Sequence, residues 1–167
     1  MIPNNLLPKG TSYFVAGGWA VCPALAGDMD VFVEIAYGED IVSARETLLK
    51  HLKKEFWRFE EQEETCTFEG YGTLATIVKV GKLPSQGMRP EIHVLLTNAD
   101  VHTTINSFDI STCCVAITDQ GYIVWGDHWT SPIEPPIRLI DNPTTDARMV
   151  KYQQRFNHPT LEESIWL

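Results

Sequence analysis

The 167-residue sequence has no apolar run long enough to cross a bilayer. Its start, "MIPNNLLPKG", lacks the basic residues and apolar stretch of a secretory leader. These two absences set the expectation of a cytoplasmic protein with no membrane partner. Cysteine is scarce. Cys22, Cys66, Cys113 and Cys114 show no C-x-x-C spacing, which argues against the common zinc frameworks. In a reducing compartment they are expected as thiols, with Cys113 and Cys114 packed in a core strand, "STCCVAI". Positive charge is also short: the formal net charge is -9. A broad face for a nucleic-acid duplex requires the opposite sign, so long nucleic acid is an unfavoured partner. A local nucleotide site, or an acidic surface that meets a basic protein, stays compatible with that charge. There is no repeat, low-complexity tract or linker. The apolar share of 44% and charged share of 21% are those of a globular chain. Residues 1–167 therefore read as a single domain, large enough for a core without disulfide or metal staples.

What is present reads as alternating elements. "SYFVA" reads as a strand closed by Gly17-Gly18, and "WAVCPALAG" as a short helix limited by Pro23. "MDVFVEIAY" is apolar on both faces and predicts a central strand. Ile41, Leu48, Leu49, Leu52 and Phe56 recur at helical spacing within "EDIVSARETLLKHLKKEFWRF", with acids in its first turn. The basic residues Lys50 to Lys54 complement the dipole at its end, and Glu60 to Glu64 read as a solvated loop. The period then shortens, and "TCTFEG", "TLATIVKVGKL" and "EIHVLLT" predict strands. A short helix capped by Asn98 follows, and then a hairpin of "DISTCCVAIT" and "GYIVWG" about "DQG". A last helix covers "TTDARMVKYQQRF" and stops before "NHP". The fold class is α/β or α+β, a mixed β-sheet with helices mainly on one side.

The chemistry concentrates in "AGGWAVCPALAGDMDVFV". Asp28 and Asp30 are two apart, so on a strand they point to one face. Adjacent carboxylates repel unless a cation or water separates them. Hard oxygen ligands of this kind suit Mg2+, which bridges to substrate phosphates. Gly17 and Gly18 leave backbone N–H groups free to approach a triphosphate. The plainer reading is a turn followed by a solvated strand end. Arg148, Lys151 and Arg155 share one face of the last helix, where they either steady phosphates or are solvated. Trp19 and Trp57 read as core. "WGDHWT", with Trp125 and Trp129, reads as core packing or as a base-stacking wall.

Taken together, Gly-Gly, a short helix and D-x-D opening a strand resemble the signature of the nucleotidyltransferase superfamily, which includes DNA polymerase beta and the CCA-adding enzymes. The later stretches "TFEGYGTLATIVKV", "EIHVLLT", "SFDISTCCVAI" and "ARMVKYQQRF" follow in the family's order, so the resemblance covers about residues 12 to 156. The chain looks most like the small nucleotidyltransferase-like proteins of phages and large DNA viruses. That resemblance implies Asp28 and Asp30 as metal ligands for Mg2+ (or Mn2+), with Gly17 and Gly18 facing phosphates. It implies transfer of a nucleoside monophosphate from a nucleoside triphosphate to an acceptor hydroxyl, on a small molecule, a protein or an RNA end. If the chain is phage-encoded, its compartment is the host cytoplasm. A third carboxylate is expected on "EIHVLL", where His93 stands instead. Glu91, two residues earlier, or Asp109 on the neighbouring element are the acids that would replace it. His93 itself is a base, a ligand or a structural residue. A fold kept without turnover, acting by binding a host protein, is the alternative reading.

Overall fold

The computed structural model describes residues 2–23, 26–36, 38–55, 57–68, 73–81 and 91–156, with side chains left aside from 61 to 81. Among these residues, seven strands form one sheet: β1 (Tyr13–Ala16), β2 (Asp28–Glu34), β3 (Arg58–Phe68), β4 (Thr73–Gly81), β5 (Glu91–Thr97), β6 (Val115–Thr118) and β7 (Ile123–Trp125). Their spatial order is β3-β4-β5-β2-β1-β6-β7. Among the described residues, only β2 and β5 pair in parallel; the other neighbours are antiparallel. The helices are α1 (Gly18–Val21), α2 (Ile41–Lys54), α3 (Val101–Asn106) and α4 (Pro143–Arg155). The sheet is thus mixed, and β2 is central, as its two apolar faces required.

Period-two alternation splits the core between the faces of the sheet. Val15, Met29, Val31, Val33, Ile92, Val94 and Leu96 pack with Leu48 and Leu52 of α2 on one face. Phe14, Phe32 and Leu95 pack with Ile105 of α3 on the other. α2 starts at Asp40, whose carboxylate accepts from the Val42 backbone N–H, and ends with His51, Lys53 and Lys54 at its negative pole. Its buried Leu48 and Leu52 are each worth about 1.5–3 kcal/mol of apolar transfer. The N-terminal segment is tied to this helix: His51 Nε2 and Trp57 Nε1 lie 2.9 and 3.2 Å from the Asn5 carbonyl oxygen. Leu6 is buried beside them.

Several local expectations change. Arg58 to Phe68 is one strand, so Glu60 to Glu64 continue β3, with a register shift between Glu61 and Thr65. Pairing with β4 outweighs the acidic composition there. Asp100, not Asn98, caps α3, accepting from the Thr103 N–H at 2.7 Å. Ser111–Cys113 forms a 3-10 turn instead of a strand, although Cys113 and Cys114 are buried as expected. Burial pushes their thiols up to about 11 and about 12, so both stay protonated. Trp57 is buried, but Trp125 is 52% exposed, because β7 is an edge strand. Trp166 lies outside the described residues. Among the described residues, no helix is long and apolar enough to cross a membrane.

Candidate metal and nucleotide site

Asp28 and Asp30 open β2 on the face away from α2, with Phe32 following on the same side. Parallel pairing with β5 sets Asp28 opposite Glu91 and Asp30 opposite His93. A strand puts residues two apart on one face, so all four side chains share it. His93 Nδ1 lies 3.3 Å from Asp30 Oδ1 and 3.9 Å from Asp28 Oδ2. Its Nε2 lies 3.3 Å from Glu91 Oε1, without the alignment of a full hydrogen bond. The ligating atoms of Asp28, Asp30 and His93 all lie within 4.8 Å of one another. Metal–ligand bonds of about 2.0–2.2 Å require ligand atoms roughly 3–4 Å apart, so this donor set fits a divalent cation after small side-chain adjustments.

The electrostatics agree with that geometry. The hydrogen bond from His93 to Asp30 raises the imidazole pKa above 6.5, helped by the nearby charges and opposed by partial burial. The acids are half-exposed and His93 less so, at 49%, 38% and 21% for Asp28, Asp30 and His93, so a ligand can reach the carboxylates from solvent.

The glycines take different roles. Gly17 ends β1 with φ +79° and ψ -150°, a conformation that L side chains rarely adopt, and its N–H donates to the Val115 carbonyl. Gly18 has an ordinary φ but no room. A Cβ there would sit 2.6 Å from the Tyr152 hydroxyl oxygen and 2.9 Å from Arg155 Nη1. Hydrogen at Gly18 leaves that space to the ends of the Tyr152 and Arg155 side chains of α4. The helix that begins at Gly18 is one turn long and adds little dipole, and the Gly17 N–H expected to be free for phosphate is taken by Val115.

These elements enclose a cleft of about 560 Å³. Asp28, Asp30 and His93 stand on one wall, Phe32, Leu95 and Phe108 form an apolar stretch, and Arg148, Lys151 and Tyr152 line the α4 side. Its size and mixed lining are those of a small-molecule site. The cations of α4 are not equivalent. Arg148 pairs with Asp109, which also accepts from the Thr145 hydroxyl at 2.9 Å. Arg155 lies 4.9 Å from the centre of the Tyr152 ring and reaches toward Gly18. Lys151 is exposed at the cleft. Asp109 thus lines the cleft but stands with Arg148, apart from the Asp28–Asp30–His93 group. Glu91 reaches His93 and lies outside the cleft lining.

Tyr152 and Phe108 were missed from the sequence. Tyr152 had a legible signal, being four residues from Arg148 and three from Arg155 on the same helical face. Phe108 had none, because it comes to Phe32 through the loop after α3, with ring centres 6.1 Å apart. Trp125 and Trp129 pack against each other with ring centres 6.1 Å apart, away from the cleft.

No protein-family model matches the chain. No curated protein matches it either. Among solved structures, it is similar to the Thermotoga maritima CCA-adding enzyme complexed with tRNA, with a TM-score of 0.50 and 15% sequence identity. The likeness covers 89% of this chain and 35% of that one, so this chain spans about a third of the length of the enzyme it matches. At that identity the likeness speaks for architecture: the chain has a nucleotidyltransferase-like fold, a mixed sheet flanked by helices.

Proposed function

We propose that the chain is a metal-dependent nucleotidyltransferase that moves a nucleoside monophosphate from a nucleoside triphosphate to an acceptor hydroxyl. One observation carries this reading. Two carboxylates and an imidazole converge within 4.8 Å on the wall of a cleft that begins at a glycine pair. Asp28 and Asp30 would hold a divalent cation, which supplies charge neutralisation to the reacting phosphate when bound. Gly17 and Gly18 line the cleft at its phosphate end, where the Gly17 N–H is given to Val115 and Gly18 makes room for Tyr152 and Arg155. Lys151 balances phosphate charge from the opposite side, and Arg155 stands beyond it near Gly18. Phe32, Leu95 and Phe108 offer an apolar surface to the base. The acceptor hydroxyl gives its proton to a cleft carboxylate or water, and its oxygen bonds to the α-phosphorus as the bond to pyrophosphate breaks, so the chain's contribution is chiefly positioning and electrostatics. Arg148 is occupied by Asp109 and acts on the cleft through that pair.

The net charge of -9 favours a small acceptor, a protein side chain or a short RNA end over a long duplex. The tRNA bound by the structural neighbour supports including an RNA end. The assay is incubation with a divalent cation, labelled nucleoside triphosphates and a panel of these acceptors, beside the Asp28→Asn/Asp30→Asn chain. Transfer in the wild type that disappears in the double variant supports the reading. Transfer that survives it overturns the metal assignment.

His93 favours a second reading, because it stands where the resemblance places an acid. A protonated imidazole would itself offset one of the two charges of Asp28 and Asp30 and stand in the place of a cation. The chain would then be a silent relative that binds a partner, such as a host protein if it is phage-encoded. Absence of triphosphate binding, with stable capture of one partner protein, would favour it.

A further inference from the structure

We propose that the cation site is built for a divalent transition ion such as Mn2+ in preference to Mg2+. Asp28, Asp30 and His93 Nδ1 are its ligands, and Glu91 is the positioning residue behind the imidazole. The proposal rests on the nucleotidyl-transfer reading for the place of the site, and adds which ion it takes and why histidine stands there.

The two ring nitrogens of His93 face different groups. Nδ1 faces Asp30 at 3.3 Å and Asp28 at 3.9 Å, whereas Nε2 is buried and faces Glu91 Oε1 at 3.3 Å. Which nitrogen carries the proton is set by the partner of the other. In the cation-free protein the Nδ1 proton is directed at Asp30; a divalent ion bound there takes the place of that proton, and Glu91, 3.3 Å from Nε2, is the acid placed to hold the remaining one. With the ion bound this would be the carboxylate–histidine–metal arrangement, in which an outer acid fixes the tautomer and raises the ligand's basicity. Sheet register builds it: Glu91 and His93 are two apart on β5, opposite Asp28 and Asp30 on β2. Glu91 serves the site through the imidazole, without being a third oxygen ligand.

The ion preference follows from the donors. Mg2+ binds oxygen, holds its water tightly and is drawn mainly by charge. Replacing a third carboxylate with imidazole removes one negative charge and one hard oxygen. The lost charge weakens every divalent ion alike; the donor change is what discriminates, because imidazole nitrogen is a better ligand for a transition ion than for Mg2+.

The test uses the full chain, labelled with 15N-histidine, and Mn2+ as the probe. Mn2+ binding is titrated by electron paramagnetic resonance, with Mg2+ as competitor, and electron spin echo modulation reports directly bound nitrogen. The wild type should show one bound histidine nitrogen, lost in His93→Asn. His93→Asp should narrow the Mn2+/Mg2+ affinity ratio. Glu91→Gln should weaken Mn2+ binding by roughly 10–100-fold, with the His93 nitrogen shifts reporting loss of the single tautomer. That second signature separates positioning from a general loss of structure. Bound Mn2+ without nitrogen coupling, or an unchanged ratio in His93→Asp, overturns the proposal while leaving the nucleotidyl-transfer reading in place. Failure to bind either ion, with or without triphosphate, overturns both. The nitrogen measurement on the wild type stands even if a variant fails to fold.

Discussion

On one face of β2 and β5, Met29, Val31, Val33, Ile92, Val94 and Leu96 are buried with α2. On the other face of the same two strands, Asp28, Asp30, Glu91 and His93 come together at the strand starts, and Phe32 and Leu95 continue into a second core. The backbone is shared, so the difference is one of side-chain alternation alone. It teaches that a parallel strand pair can carry fold and chemistry at once. One face fixes the register, and that register decides which polar groups meet on the other. The acids occupy the ends of the strands, where solvent still reaches them, while the centres of both faces are apolar.

The sharpest way to break this comparison is to move a charge across it. Val94→Asp would place a carboxylate on the sealed face, with no partner and no solvent, and should cost about 4 kcal/mol or more in chemical denaturation. Asp30→Asn, on the open face, should change stability by less than about 1 kcal/mol. It should nevertheless lower cation affinity by more than the roughly 10–100-fold typical of an outer partner, read by calorimetric titration. If the two substitutions destabilise alike, the division of the faces is wrong.

A smaller effect tests the approach of α4. Gly18→Ala must displace the Tyr152 hydroxyl and the Arg155 guanidinium, and should cost about 1–3 kcal/mol. Gly17→Ala should cost a similar amount through its positive φ, with no clash at that position: its Cβ would have ordinary contact with Asp30 at 3.8 Å. Combining Gly18→Ala with Tyr152→Phe should recover part of the loss, and Gly17→Ala with Tyr152→Phe should recover none. Equal behaviour would contradict the separate reasons given for the two glycines.

The smallest effect is with pH. In cation-free protein, the hydrogen bond to Asp30 raises the His93 pKa above 6.5. A raised folded pKa gives a contribution fully present below the unfolded value and lost as pH rises through the folded value. The Tm should therefore decline as pH rises from about 6.5, and His93→Asn should remove this part of the slope. A saturating cation should also suppress it, because a ligated nitrogen no longer takes up the proton. A slope unchanged by His93→Asn would place its origin elsewhere.

Much of the fold was legible because its elements are local. Ile41, Leu48 and Leu52 gave α2 by spacing, and the valine-rich run after Asp28 gave a central strand. Glu60 to Glu64 read as a loop from their acidic composition, whereas their strand state comes from pairing with β4, the next strand in the chain. Cys113 was misread because "STCCVAI" has strand composition, while the chain must turn at Ser111–Cys113 before it can join β1. The common face of Asp28 and Asp30 followed from the two-residue period, and so did that of Glu91 and His93.

The sequence by itself determined these pairs, because alternation along a strand is a property of the backbone. Only the tertiary structure decided that the pairs meet. Parallel pairing of β2 with β5 sets Asp30 beside His93, across a connection that includes a helix and two further strands. It likewise decided that Arg148 is taken by Asp109 and that Gly18 is small for the sake of Tyr152. Each is a contact between distant segments, fixed by how the sheet and α4 bury their apolar faces rather than by any short-range preference of the residues involved.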